Sequence, residues 1–243
     1  MDTGEGQPSW IEALRETLRE ENAVITAAVI THWHHDHQGG IKHLLEFSPE
    51  TSIYKNQPGD NQLNIEDGQR FHVDGASLRA LFSPGHTQDH MALILEEEDA
   101  MFTGDNVLGH GTAVFEDLTV YLASLEKMRG AFQGRAYPGH GSVIEDGPKK
   151  ILEYVRHREQ REDQVLQVLK SSRSRSRGEV DDSKPEDWTT MEIVKVIYRD
   201  VPENLHLAAN GGVTQVLWKL KGEDRVSEDS ATGRWRIKNR ATL

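Results

Sequence analysis

Four ligand-type side chains within six residues are the feature of this sequence that most directly indicates chemistry. His32, His34, Asp36 and His37 form a His-x-His-x-Asp-His pattern. Neutral imidazole nitrogens and carboxylate oxygens bind Zn²⁺ at about 2.0–2.2 Å. The pattern therefore predicts a metal site, with His32 and His34 turned to one ion and Asp36 and His37, one turn further on, turned to a second.

The segments on either side of this run are predicted to hold it at the edge of a sheet. Residues 23–30 are apolar and rich in β-branched side chains, which favours a buried strand. Residues 41–47 follow a Gly-Gly pair and have a helix-like pattern. The ligands are thus expected on a strand-to-helix loop at the carboxyl end of a strand, where α/β sheets build their sites.

Three later strand ends offer further ligands. His86 lies in Pro-Gly-His-Thr, Asp105 in Gly-Asp, and His140 in Pro-Gly-His-Gly, and each follows a short apolar run. Glycine beside each ligand lets the backbone come close to an ion. Each short motif is weak alone, but their order after the first motif supports a site with two metals.

Together these motifs resemble those of metallo-β-lactamase-fold hydrolases over about residues 2–170. The resemblance implies an α/β fold with an αββα sandwich. It also implies a dinuclear site, for which two Zn²⁺ are expected and Mn²⁺ or iron stay open. The implied ligands are His32, His34 and His86 for the first metal, Asp36, His37 and His140 for the second, and Asp105 as the bridge.

True β-lactamases of this fold use a cysteine at one metal, and this chain has no cysteine. We therefore expect a different reaction from β-lactam hydrolysis. The missing cysteines also exclude disulfides and fit a reducing compartment. The sequence has 36% hydrophobic and 28% charged residues, no apolar run of membrane-spanning length and no signal-peptide pattern. A cytoplasmic globular protein that does not associate with a membrane is expected.

The net charge of −12 is unevenly distributed. Residues 188–243 contain nine Lys and Arg against seven Asp and Glu, so the acidic excess lies in residues 1–187. An acidic catalytic region repels polyanions, apart from the field of bound metals. This distribution is mild evidence against nucleic acid as the substrate.

Three parts are expected along the chain: a catalytic domain over 1–170, a low-complexity Arg-Ser linker over 171–187, and a small domain over 188–243. Three helix-like segments, at 189–199, 202–207 and 212–220, followed by a strand pair, make the last part resemble a winged helix. In similar hydrolases this domain packs on the catalytic domain and helps to shape the substrate cleft, so DNA binding is not favoured.

The first residues of the sequence resemble a part of this fold that follows its first strands. Asp2-Thr3-Gly4 is similar to the turn that follows the first pair of strands in this fold, so the catalytic domain is expected to be N-terminally short, with an uncovered sheet edge. Ser9 and Glu12 are spaced as a capping box, which predicts a helix that starts at Ser9.

Within the superfamily, residues 104–118 and 202–206 resemble the β-lactamase-like protein 2 group. Animal members of that group are similar to single-strand-specific endoribonucleases, and fungal members to thioesterases of aromatic polyketide pathways. Residues 32–37 and 53–58, with Asn106 and His110, resemble the fungal type. Phe115 and residues 138–141 resemble the general group, including its nucleases, at least as much.

The resemblance therefore predicts a thioesterase that releases an aromatic polyketide from the acyl carrier protein of a polyketide synthase. An endoribonuclease, a hydrolase of other esters or thioesters such as those of glutathione, and a truncated non-catalytic remnant stay as alternatives. The oligomeric state is left open.

Asp36, Asp105 and His110 are the predicted catalytic residues. Asp105 would hold the metal spacing, and Asp36 would bind metal and orient the nucleophile. A thiol, with a pKa near 8.5, leaves as thiolate with little help, whereas an alkoxide of RNA needs a proton donor. His90 and His110 are the candidates for that donor.

Overall fold

The computed structural model describes residues 1–171 and 187–238. The chain forms two compact units, Met1–Tyr154 and Val155–Leu243. The first unit contains two β-sheets with helices, which confirms the predicted α/β class. The linker predicted over 171–187 lies almost entirely outside the described residues, so the predicted domain boundaries stay a prediction.

Two sheets form the centre of the first unit. The smaller sheet is parallel, with the order β1 (Ala27–Ile30), β2 (Ser52–Lys55) and β3 (Leu63–Asn64). The larger sheet runs in chain order and is antiparallel except for its last pair. Its strands are β4 (Arg70–Val73), β5 (Ala76–Phe82), β6 (Met91–Leu95), β7 (Ala100–Gly104) and β8 (Ala136–Pro138).

Five helices begin in this unit. They are α1 (Pro8–Glu20), α2 (His35–Gln38), α3 (Ile41–Phe47), α4 (Leu118–Arg129) and α5 (Gly147–Lys170). The expected capping box at Ser9 is wrong, because α1 already begins at Pro8 and Gln7, its N-cap residue, makes no side-chain cap. Proline is favoured at the first helical position because its fixed φ suits the helix and no N–H is left unpaired.

Successive side chains of β1 point to opposite faces of the smaller sheet and pack against different layers. Val29 packs with Met91 and Leu93 of β6, so the two sheets face each other across a buried core. Ala28 and Ile30 point the other way. Their cluster is completed by residues of α1 and α3, namely Trp10, Leu14, Ile41, Leu44 and Leu45. On the larger sheet, Asn106, just past β7, contacts Met128 and Tyr121 of α4. The arrangement is the predicted αββα sandwich.

The second unit contains α6 (Thr190–Ile197), α7 (His206–Gly222) and a hairpin of β9 (Val226–Asp229) and β10 (Arg234–Ile237). A complete capping box of Thr189 and Glu192 starts α6. Trp188 pairs with Trp235 of the hairpin through two backbone hydrogen bonds of 2.8 Å. Two helices followed by a hairpin, with a strand bridge before them, form a winged-helix domain.

Among the helices of residues 1–171 and 187–238, none is both long and apolar enough to cross a membrane.

Gly85 lies in the turn after β5, where the backbone packs closely against α4. Its φ is +133°, and a methyl group there would lie 2.3 Å from Cα of Tyr121. Gly75 has a φ of +82° but nothing within 4 Å. We expect Gly75→Ala to lower the free energy of unfolding by about 1–2 kcal/mol. Gly85→Ala should cost clearly more, because backbone strain and overlap add. Urea unfolding followed by circular dichroism measures both, and equal losses would contradict the tight contact.

Candidate metal centre

The predicted ligands meet at one edge of the two sheets. His32 and His34 follow β1, His86 follows β5, Asp105 follows β7 and His140 follows β8. Two groups result, and within each group one ligand atom of every member lies within 4.8 Å of the others. The first group is His32, His34, His86 and Asp105; the second is Asp36, His37 and His140.

Imidazole nitrogens converge in the first group. Nδ1 of His34 lies 3.0 Å from Nε2 of His32 and 3.0 Å from Nε2 of His86. Nε2 of His86 is also 3.7 Å from Oδ2 of Asp105. Nitrogen lone pairs that face one another repel unless a proton or a cation lies between them, so this donor set suits a metal ion.

The second group adds a carboxylate and two imidazoles. Nε2 of His140 lies 3.0 Å from Oδ2 of Asp36 and 3.3 Å from Nε2 of His37. Asp105 faces this group as well, with Oδ2 3.5 Å from His140 and Oδ1 3.4 Å from Nε2 of His37. Oδ1 of Asp105 is buried and accepts no hydrogen bond from the described residues. A buried carboxylate oxygen without such a partner between two such groups fits a shared metal ligand.

The ring orientation of three histidines is set from outside the site. Nδ1 of His86 donates to the carbonyl of Val114 at 2.8 Å, and Nδ1 of His37 donates to the carboxylate of Asp2 at 2.9 Å. His32 Nδ1 lies 2.9 Å from the hydroxyl of Thr31. Each contact places the N–H on Nδ1, which leaves Nε2 toward the centre as the lone pair a metal needs.

Asp2 is a supporting residue that the metal-ligand motifs do not indicate. Its carboxylate accepts hydrogen bonds from the backbone N–H of Thr31 at 2.8 Å, from the Thr31 hydroxyl at 3.0 Å and from His37. The Thr31 hydroxyl, occupied as a donor to Asp2, is then the acceptor for His32. One carboxylate therefore orients an imidazole of each group. The turn at Asp2-Thr3-Gly4 was the only signal in the sequence for its importance.

His90, one of the two proton-donor candidates, supports the site instead. It is fully buried; its Nε2 accepts the backbone N–H of Asp105 at 3.1 Å, and its Nδ1 donates to the Ser83 hydroxyl at 3.0 Å. Burial, together with the repulsion from His86, lowers the pKa of His90 to about 3. A neutral ring with both nitrogens occupied cannot deliver a proton to a leaving group.

His110, the other candidate, is exposed on the loop after Asp105. Its neighbour Gly109 donates a backbone hydrogen bond of 2.9 Å to the carbonyl of His140, so this loop lies against the segment that carries a ligand. The His110 side chain belongs to neither ligand group. Its role as an acid stays a prediction.

The electrostatics of the two groups differ. Burial, with repulsion from neighbouring imidazoles, strongly lowers the pKa of His32, which keeps that ring neutral. Burial also opposes charge on His37, but the nearby carboxylates of Asp105 and Asp2 outweigh it and raise the pKa of His37 to about 10. The carboxylates thus stabilise positive charge at the second group, where a bound cation would supply it.

A glycine is required next to Asp105 and His37. A Cβ atom at Gly139 would lie 2.5 Å from Oδ1 of Asp105 and 2.9 Å from Cε1 of His37. Any side chain there would push apart the two residues that join the groups. This contact accounts for the glycine before His140 that the sequence pattern had singled out.

Comparison with known families agrees with this arrangement. The family model described as the metallo-beta-lactamase superfamily matches residues 1–57 and 53–140. The chain belongs to the metallo-beta-lactamase superfamily. A second model, described as the beta-lactamase associated winged helix domain, matches residues 189–235. The two predicted resemblances, to this superfamily and to a winged helix, are therefore confirmed.

Fungal lactamase-like proteins are among the curated relatives of this superfamily member. The chain is 46% identical over 227 residues to the lactamase-like protein adaB of Aspergillus niger, which covers 93% of the chain and 71% of that protein. It is 44% identical over 242 residues to the atrochrysone carboxyl ACP thioesterase of Aspergillus chevalieri, covering 98% of the chain and 77% of that protein. The predicted likeness to fungal lactamase-like proteins is confirmed.

Solved structures share the fold at low identity. A beta-lactamase domain protein from Burkholderia ambifaria superposes with a TM-score of 0.78 at 15% identity, over 98% of this chain and 81% of that one. A metallo-beta-lactamase family protein from Thermus thermophilus gives a TM-score of 0.70 at 21% identity, over 98% and 89%. Superfamily membership and the two His/Asp groups together indicate divalent-metal binding; the individual ligand assignments stay a prediction.

Asp2→Asn tests the support of the centre. An amide at this position keeps an acceptor for Thr31 but turns an N–H group toward Nδ1 of His37, which disturbs the ring orientation. We expect metal affinity to fall by about 10–100-fold. Competition titration with chelators of graded affinity measures the loss, and Asp74→Asn, at an exposed turn, serves as the matched control. Unchanged affinity in both variants would contradict the supporting role of Asp2.

Proposed function

We propose that this protein is a dinuclear zinc hydrolase that cleaves the thioester between an aromatic polyketide and an acyl carrier protein. The observation that carries the choice of substrate is the charge of the ligand segments. Residues 31–40, 83–90, 104–117 and 138–144 contain no Lys or Arg. A polyanion such as RNA needs cations along its path, whereas an acyl thioester does not.

The relatives support the same substrate class. One of them is named as an atrochrysone carboxyl ACP thioesterase, and the similarity to it spans 98% of this chain. The acyl carrier protein domain of a polyketide synthase is accordingly the proposed partner.

The ligand roles follow the two groups. His32, His34 and His86 would hold one Zn²⁺, with Asp36, His37 and His140 holding the other and Asp105 contacting both. Bound zinc supplies a Lewis acid that polarises a carbonyl group and makes water more acidic. Mn²⁺ or iron could serve the same donor set. Asp36, whose side chain is 44% exposed, is open to solvent and is proposed to orient the attacking water.

The leaving group also favours a thioester. The buried His90 is neutral and both its nitrogens are occupied. That leaves exposed His110 as the proposed proton donor near the centre. A thiolate departs at neutral pH with little assistance because the pKa of a thiol is about 8.5. An alkoxide leaving group would depend on His110 much more strongly.

An apolar rim suits an aromatic acyl group. Trp33 lies between His32 and His34 in the sequence, and its side chain is 50% exposed. Its ring contacts the His34 ring edge-on, with the centroids 4.5 Å apart. Val114, whose carbonyl orients His86, is 71% exposed. Aromatic side chains offer a large apolar contact area to a ligand. We propose that Trp33 contacts the acyl group of the substrate.

Thiol release from a carrier-protein thioester of an aromatic β-ketoacyl chain tests the reaction. We expect release by the zinc-loaded chain, its loss after chelation, and its recovery when zinc is restored. Asp105→Ala should lose more than the roughly 100-fold that removal of a supporting residue costs, while Asp74→Ala should not.

No thiol release by a chain that holds two metals would reject the thioesterase. Cleavage of a single-stranded oligoribonucleotide by the same preparation would then favour the endoribonuclease. Fewer than one metal per chain would favour the non-catalytic remnant. These three results are separable because metal content is measured independently of turnover.

Trp33→Ala tests the acyl contact. Loss of one aromatic contact of about 1.4 kcal/mol corresponds to a tenfold change. We expect KM for an aromatic acyl thioester to rise about tenfold, with KM for an acetyl thioester unchanged. Phe47→Ala, at an exposed aromatic residue of α3, is the control. Equal changes for the two thioesters would exclude Trp33 from acyl recognition.

A further inference from the structure

A buried ion pair lies beside the metal centre without belonging to either ligand group. Lys55 is 5% exposed and Asp89 is 2% exposed, and the Lys55 ammonium donates to Oδ2 of Asp89. Lysine and aspartate are almost never this deeply buried unless they are paired. Neither residue has a role in the proposed reaction, so the pair calls for another explanation.

Lys55 organises a turn at the ligand-bearing edge of the smaller sheet. It is the last residue of β2 and pairs in register with Ile30, so it lies level with the strand end that leads into Thr31 and His32. Its ammonium also donates to the carbonyls of Asn56 at 3.0 Å and Gln57 at 3.3 Å. All three of its protons are therefore used.

The turn that Lys55 organises is one that the chain would not adopt readily by itself. Gln57 has a φ of +53°, which is disfavoured for a residue with a Cβ atom. The side-chain amide of Asn56 donates to the carbonyl of Ile65 at 3.1 Å and joins the turn to the segment after β3. The ammonium of Lys55 thus stabilises a strained turn by donating hydrogen bonds to two of its carbonyl groups.

Asp89, the partner of Lys55, also contacts the segment that contains His86. Its Oδ1 accepts the hydroxyl of Thr87, the residue after His86, at 2.7 Å. The Thr87 carbonyl accepts the N–H of Gly85 at 2.9 Å, which closes the turn around His86. The residue after Asp89 is His90, which holds the backbone of Asp105. The carboxylate of Asp89 therefore lies between two residues that fix members of the first group.

We propose that Lys55 and Asp89 form a positioning pair that holds His86 and Asp105 in register with β2 and so sets the metal affinity of the first group. The inference rests on the metal-binding part of the proposed function. The ion pair links β2 to the segment 86–90, and through it the position of His86 depends on a strand about 30 residues earlier in the chain. Neither side chain belongs to a ligand group.

A positioning role and a purely structural role predict different results. Replacing both members of a buried ion pair by apolar residues is often neutral or stabilising, because two charges no longer need to be desolvated. The double variant Lys55→Met/Asp89→Leu should therefore fold with little change in thermal midpoint. Its first metal group should nevertheless lose about 10–100-fold in affinity, as supporting residues of metal sites do when they are changed.

The test is a metal titration of the full chain. Zn²⁺ affinity is measured by chelator competition, and Co²⁺ affinity and coordination by the visible absorption of the cobalt-loaded protein. A His140→Ala background, in which the second group lacks a ligand, assigns the remaining metal to the first group. Lys127→Met is the matched control, because it removes an ion pair with Asp67 of 2.9 Å that is exposed to solvent.

We expect the double variant to show the affinity loss and an altered cobalt spectrum, with the Lys127→Met protein unchanged. Wild-type affinity and spectrum in the folded double variant would overturn the inference while leaving the proposed function intact. Absence of metal binding by the wild-type chain would instead reject the proposed function. If the double variant does not fold, Asp89→Asn, which keeps the shape and an acceptor for Thr87, decides by the same titration.

Discussion

Convergence of atoms that can bind a metal at one sheet edge is the constraint on which the first unit depends. Nitrogen and oxygen atoms of five imidazoles and two carboxylates approach one another at 3.0–3.7 Å. Such a cluster is unfavourable unless a cation satisfies it, and a cation binds well only to donors that are already in place. The contacts around the cluster serve that second requirement: Asp2, the carbonyl of Val114 and His90 fix the rings and the backbone from outside.

The segment 86–90 holds several parts of the cluster in place with only five residues. His86 contributes a nitrogen to the centre, the Thr87 carbonyl closes the turn, Asp89 reaches β2 through Lys55, and His90 holds the N–H of Asp105. The layers of the sandwich make these links possible. β1 and β2 are parallel and in register, so that Thr31 and the turn after Lys55 emerge at the same edge. A larger antiparallel sheet packed against them brings β5 and β7 to that edge as well.

Much of this site could be predicted because its ligands are strong local signals at strand ends. His32 and His34 follow an apolar run, and His86, Asp105 and His140 each stand beside glycine, so residue type and order sufficed. Contacts between distant segments could not be predicted in this way. Asp2 and His37 are 35 residues apart in the sequence, and Lys55 and Asp89 are 34 apart. No local sequence pattern indicates that either pair is in contact. The capping box failed for the opposite reason: two residues with the right spacing were outweighed by a proline one position earlier.

The balance between an RNA and a thioester substrate depends on charge and on proton supply, and both point the same way. Apart from the histidines, the segments around the ligands carry acidic groups and no Lys or Arg, so they offer no permanently cationic side chain to a phosphate chain. His90, the buried histidine that holds the backbone of Asp105 from outside the ligand groups, is neutral and fully hydrogen-bonded. With a divalent cation bound, a centre arranged in this manner would provide an electrophile beside exposed apolar side chains, with proton donation left to the exposed His110. That combination suits a substrate whose leaving group is already a good one, and a thioester is such a substrate.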